Sequence, residues 1–106
     1  MPKYLLEVNY TLDGIKGVVA SGGSARVAAA TELVESVGGK IESFHFAFGG
    51  VDVYVIADFP DNISAASAAF AVCAGGGATA RTMALQTAAE IDAAVAKNTT
   101  YRPPGS

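Results

Sequence analysis

The stretch that decides the fold is Lys40-Ile-Glu-Ser-Phe-His-Phe-Ala-Phe-Gly-Gly-Val-Asp-Val-Tyr-Val-Ile-Ala-Asp-Phe59. It predicts two strands, Lys40–Phe48 and Val51–Phe59, joined by Gly49-Gly50, whose glycines suit the positive φ of a type I′ or II′ turn. That turn sets the register. Phe48 opposes Val51, Phe46 opposes Val53 and Phe44 opposes Val55 on a wholly apolar face; Ala47–Asp52, His45–Tyr54 and Ser43–Ile56 pair on a mixed one.

Upstream, Lys3–Thr11 alternates, with Tyr4, Leu6, Val8 and Tyr10 to one side and Leu5, Glu7, Asn9 and Thr11 to the other, a half-buried strand that Asp13-Gly14 ends with a turn. Ile15, Val18 and Val19 make a short helical turn broken at Gly22-Gly23. Ser24 then serves as N-cap to a helix burying Val27, Ala30, Leu33, Val34 and Val37, stopped by Gly38-Gly39. Downstream of Pro60, Asp61 or Ser64 caps a second main helix through Ala74; it is nearly all small residues, with Ile63, Phe70 and Val72 as its bulk, so it is expected to lie close against the sheet. Thr79–Gln86 is the fourth strand, with Met83 and Leu85 towards the core and Thr82, Ala84 and Gln86 opposite. Thr87 and Glu90 form a capping box for a short last helix to about Lys97.

The fold class is therefore α+β: a ferredoxin-like βαββαβ unit plus a short C-terminal helix, with a four-stranded antiparallel sheet and both main helices on one face. Residues 1–97 form the domain and residues 98–106 an extended tail. The other sheet face carries Leu5, Glu7, Asn9, Ser43, His45, Asp52, Tyr54, Ile56, Thr82 and Gln86. It is too mixed for solvent and too polar for a core, so a second copy packed across a two-fold axis is expected to cover it, leaving polar groups around a cavity. A chain that is 51% hydrophobic and only 16% charged agrees with such a covered face.

A net charge of −3 with scattered Lys and Arg argues against nucleic acid as a partner. No apolar run approaches the roughly 20 residues that span a bilayer, and no signal-peptide pattern opens the chain, so no membrane partner and a cytoplasmic location are expected. The single cysteine, Cys73, sits in an apolar run and reads as a small core hydrophobe; no spacing suggests a metal site, and no cofactor is expected.

The runs Asp13-Gly-Ile-Lys-Gly17, Gly23-Ser-Ala-Arg26, Gly38-Gly-Lys-Ile-Glu42, Phe48-Gly-Gly-Val-Asp52 and Tyr101-Arg-Pro-Pro-Gly105 together resemble the GYD-domain family. These are small bacterial proteins of unassigned function, related to the two-fold dimeric α/β-barrel superfamily. The resemblance covers nearly the whole chain and implies the fold and a dimer, but no activity. The family's Gly-Tyr-Asp is Gly50-Val51-Asp52 here, and Val51 is expected to face the helices as a packing exchange, with Tyr54 nearby carrying a hydroxyl.

Among candidate catalytic residues, His45 with Asp52 and Tyr54 across the hairpin forms a proton-handling group: a carboxylate to orient, an imidazole to exchange the proton, a phenol to position. The competing reading makes Asp52 the structural partner of a histidine at a dimer interface. Glu7, Asn9, Arg26 and Thr82 are the ligand-binding candidates. Arg26 follows a Gly-Gly-Ser helix start that favours an anion, or else pairs with a surface acid. Arg81 reads as an edge charge that discourages strand pairing, and Asp58 as a group able to reach it. The leading expectation is a homodimer, or a multiple of dimers, without an assigned catalytic role, holding a small, partly apolar organic ligand, or nothing, in the sheet-face cavity. The alternatives are a cofactor-independent enzyme of the monooxygenase or isomerase type, and a structural module whose open face meets another protein.

Overall fold

The computed structural model describes residues 1–105. Its elements run β1 (Lys3–Tyr10), α1 (Leu12–Ser21), α2 (Gly23–Ser36), β2 (Lys40–Phe46), β3 (Val53–Asp58), α3 (Asn62–Ala74), β4 (Ala78–Leu85) and α4 (Ala88–Val95). The strands form one antiparallel sheet in the order β2-β3-β1-β4. Helices α1, α2 and α3 lie across one face, which is the ferredoxin-like arrangement that the sequence predicts.

Beneath the helices, alternation does the sorting. Tyr4 and Leu6 of β1, Val53, Val55 and Ala57 of β3, and the adjoining Phe59 are buried against Val34 of α2 and Ala65 and Ala68 of α3. Phe59 and Val53 are the largest side chains sealed completely, and Tyr4 meets Phe59 edge to face at 5.5 Å. The Tyr4 hydroxyl donates to Asn62 Oδ1, so the phenol is satisfied where its ring is buried.

The predicted register of β2 against β3 holds from Ser43–Ile56 to Phe46–Val53. A bulge between Ile41 and Ser43 then resets the phase, placing Ile41 opposite Ala57 and packing both Ile41 and Phe44 against the core. At the other end the strands stop short of Gly49-Gly50. Only Gly50 has a positive φ, at 123°, so the tip is neither a type I′ nor a type II′ turn. Residues 47–52 form a wider connection with one extra backbone bond, Ala47 N–H to Asp52 O at 2.8 Å. Phe48, expected in the apolar face, projects from it fully exposed, and Val51 lies half-buried in the connection rather than in β3.

Asp13-Gly14 is the first turn of α1, not a turn before it. Thr11 is the N-cap, its side chain accepting from Gly14 N–H at 3.2 Å. Glycine is required at 14 because a Cβ there would lie 1.7 Å from the Gly77 carbonyl oxygen. That oxygen accepts from Thr11 N–H at 3.0 Å, and Thr11 Oγ1 donates to Gly76 O at 2.9 Å, so the glycines before β4 are fastened to the end of β1. The break between α1 and α2 falls at Gly22, whose φ is 85°. Gly22, not Ser24, is the N-cap of α2, and Ser24 lies within the helix.

Two faces differ from expectation. In α3 Asp61, one of the two expected caps, is the N-cap, and Ala65 and Ala68 are buried, with Ile63 and Phe70 outward at 80% and 77% exposed; Cys73, expected in the core, is exposed. An alanine face lets the helix approach closely, and the cap fixes its phase so that the larger side chains turn away. In β4, the pairing of Leu6 with Thr82 and of Leu5 with Met83 puts Thr82 on the helix side and Met83 on the open side. Reading apolar side chains as core reversed the phase of this edge strand, because its alternate positions are apolar too.

Two outcomes follow from the close contacts and caps. Gly14→Ala should cost at least about 2 kcal/mol in urea unfolding, as overpacking does, whereas Gly17→Ala, which meets nothing within 4 Å, should gain about 0.5–1 kcal/mol. Separately, the Ser64 N–H bond holds the Asp61 carboxyl below its ordinary value of 3.8. A carboxyl depressed in the folded state gives stability above its unfolded pKa that is lost as pH falls through the folded value. Asp61→Asn, which caps without titrating, should flatten the acid limb of the stability profile below about pH 4.

Candidate functional site

The uncovered face of the sheet is ordered in rows across all four strands. Opposite residues share a face, so the ladders place His45, Tyr54, Glu7 and Arg81 side by side on β2, β3, β1 and β4. The next row reads Ser43, Ile56, Leu5 and Met83. One row is polar from edge to edge and its neighbour largely apolar. Tyr54 and Met83 are each more than a third exposed, and Leu5, Ile56 and Glu7 are half-buried.

Within the polar row, Arg81 Nη2 lies 3.2 Å from Glu7 Oε1. Arg81 stands on the edge strand β4, as expected, and is also a member of the row, paired across strands with Glu7, which only the β4–β1 register shows. Asp58 turns instead to Lys3, whose ammonium lies 3.0 Å from Glu42 and 3.1 Å from Asp58. Hydrogen bonds to these carboxylates, Glu42 first, hold the Lys3 pKa above its ordinary 10.5.

Asp52 does not join His45. Its Oδ2 accepts from Tyr10 N–H at 2.8 Å, beyond the last rung of the β1–β3 ladder, while its own N–H donates to Val8 O at 3.0 Å. Asn9 Nδ2 donates to Gly50 O at 2.6 Å. These bonds tie the 47–52 connection to β1 where strand pairing has ended. Among the described residues no hydrogen bond links Asp52 to His45, so of the three catalytic candidates the structure brings together His45 and Tyr54 as direct cross-strand neighbours. Of the four ligand-binding candidates, Glu7 stands in the polar row, and Asn9 holds the connection. Thr82 lies on the opposite face, with Leu6. The reason is the reversed phase of β4.

Arg26 also lies on the helix side. Helices α2 and α3 make no extended contact with each other, and between them opens a cleft of about 540 Å³ lined by Tyr10, Asp13, Ser21, Arg26, Leu33 and Val72 among others. A narrower space of about 70 Å³ continues it down to Leu6, Val8, Val53 and Val55 on the sheet. Among the described residues Arg26 forms no ion pair, so the expected surface acid is not its partner. The sheet separates it from His45, Tyr54 and Glu7. Among the described residues no helix is long and apolar enough to cross a membrane.

A four-stranded antiparallel sheet in this order, with its helices on one face and a row of polar groups on the other, defines a ferredoxin-like α+β protein. The GYD domain profile matches residues 4–95, and the chain belongs to the GYD-domain family. Neither the comparison with curated proteins nor that with solved structures found a match.

The geometry separates the roles of Asp52 and His45. Asp52→Ala should destabilise the chain by about 1.5–3 kcal/mol, the range for hydrogen bonds to charged groups. In a double-mutant cycle with His45→Ala the coupling should stay under about 0.5 kcal/mol; a larger coupling in urea unfolding would show that the two side chains act as a pair.

Proposed function

We propose that the chain works as a homodimer, or a multiple of dimers, whose sheet faces pack together around a site for a small organic molecule with apolar and polar parts. The observation that carries this reading is the pair of rows on the uncovered face. Leu5, Ile56 and Met83 supply apolar surface whose removal from water favours association by about 25 cal/mol per Å². The adjoining His45, Tyr54, Glu7 and Arg81 are costly to bury unless they are paired. Glu7 and Arg81 pair with each other, which leaves the Tyr54 hydroxyl and the His45 imidazole as the groups free to meet a ligand.

An apolar or aromatic body over Leu5, Ile56 and Met83, with an oxygen reaching Tyr54 or His45, is the ligand class that this arrangement fits. Proton transfer by His45 would need an orienting group from the second copy or from the ligand, because Asp52 is engaged with Tyr10. Binding therefore has the stronger support, and catalysis is the narrower form of the same reading.

Native mass spectrometry of the protein as purified should give twice the chain mass, or an even multiple, with additional small-molecule mass. Leu5→Asp with Met83→Asp should weaken self-association at least about 100-fold, equivalent to about 2.8 kcal/mol, while leaving the circular dichroism spectrum of a folded chain. A double variant that associates as tightly as the parent would contradict the reading.

A further inference from the structure

On the side of the sheet away from His45 and Tyr54, the core does not close. Helices α2 and α3 make no extended contact, and much of what lines the gap from them is short: Ala25 and Ala30 on α2, Ala68 and Ala71 on α3. Val8, Leu33 and Phe44 therefore pack on the core yet stay only half-buried. The cleft this leaves, about 540 Å³, falls within the range of about 300–1,000 Å³ usual for ligand sites. Apart from Tyr10 and Arg26, every residue lining the space of about 70 Å³ at its base is apolar, so water finds few partners there. That space suits the end of an apolar chain or the edge of a ring.

Charge says what else the occupant carries. Arg26 lines both the wide cleft and the narrow space beneath it, and among the described residues its guanidinium has no carboxylate partner. It stands fourth in α2, where a positive charge opposes the helix macrodipole. Neither an ion pair nor the stability of its own helix accounts for it. Tyr10, at the end of β1, also lines both spaces, and among the described residues its hydroxyl has no hydrogen-bond partner. Asp13 is the other charged residue along the cleft, and it lines the wide part alone.

We infer that this cleft binds a monocarboxylic acid with an apolar body. The carboxylate pairs with Arg26, whose planar guanidinium can meet both oxygens at once, and the Tyr10 hydroxyl is the neutral donor within the same walls. The apolar body lies on Leu33 and Val72, with its end in the narrow space beside Val8. One guanidinium balances one negative charge rather than the nearly two of a phosphate monoester. Asp13 in the wide part repels a second acid group on the same molecule, which favours a monoacid over a diacid. The sheet lies between this site and the face proposed for self-association, so the inference does not rest on that reading.

Methyl nuclear magnetic resonance on the full chain tests it, with octanoate as the probe, octanol as the same chain without the charge, and octanedioate as the diacid. Octanoate at up to about 1 mM, the range of a weak ligand, should shift the methyls of Val8, Leu33 and Val72. Read at those methyls, octanedioate should bind more weakly than octanoate. Arg26→Gln should weaken octanoate at least about tenfold, as loss of a charge-assisted bond does, and leave octanol binding unchanged. Octanoate that moves none of the three cleft methyls overturns the site; if it moves those of Leu5, Ile56 and Met83 instead, the sheet-face reading gains what the cleft loses. An Arg26→Gln chain that keeps the parent's affinity at the cleft methyls overturns the assignment of a carboxylate.

Discussion

Alternation in the central strands, with helices available to only one side of the sheet, is the constraint from which the rest of the structure follows. Val53, Val55 and Ala57 of β3 are sealed beneath α2 and α3, so the residues between them, Tyr54 and Ile56, must point the other way. The same holds for Leu5 and Glu7 between the buried Tyr4 and Leu6. Every apolar group that sorts inward therefore commits a neighbour to the open face. What that face carries is a consequence of how the core packs, and the core cannot slip by one residue without exposing Val53 and burying Tyr54.

The C-terminal end of β1 is where the chain is most tightly tied. Tyr10 N–H is held by Asp52 from the β2–β3 connection, and Thr11 is held on the other side by Gly76 and Gly77. Thr11 also caps α1, and Gly14 lets that helix start against the Gly77 carbonyl. Three segments distant in sequence thus meet through backbone groups and two short side chains. Asp52 belongs to this structural knot, which accounts for a carboxylate at that position without any catalytic role.

Much of this was legible in the residues. The hairpin register was read from a tight turn at Gly49-Gly50; the connection is wider, yet Phe44–Val55 and Phe46–Val53 still pair, because an apolar face that must be buried admits one pairing. Asp61 and the Thr87–Glu90 box were visible because capping depends on local spacing. The failures share a cause: they concern positions where apolar and small residues are mixed. Cys73 was placed in the core by its apolar run, but Ala65 and Ala68 make the close contact and Cys73 is exposed. Met83 was placed there by hydrophobicity, and the β1 register put it outside. Gly14 read as a turn because the contact that demands glycine is Gly77, over sixty residues away. In the candidate site, the His45–Tyr54 pair was legible from hairpin register alone. The place of Arg81 beside Glu7 needed β4 aligned on β1, and the backbone bond of Asp52 needed the end of a ladder that no local pattern marks.

A ferredoxin-like sheet with a polar row beside an apolar one reads most simply as half of an enclosed site, and the central claim is that the open face is covered in solution. The direct measurement is solvent paramagnetic relaxation of side-chain methyls in the full chain, with a soluble gadolinium chelate as the probe. If the face is covered, the methyls of Leu5, Ile56 and Met83 will relax as slowly as those of the buried Val53 and Val55. If those three methyls relax as fast as that of Ile63, which stands exposed on α3, the face is open to water and the account is wrong.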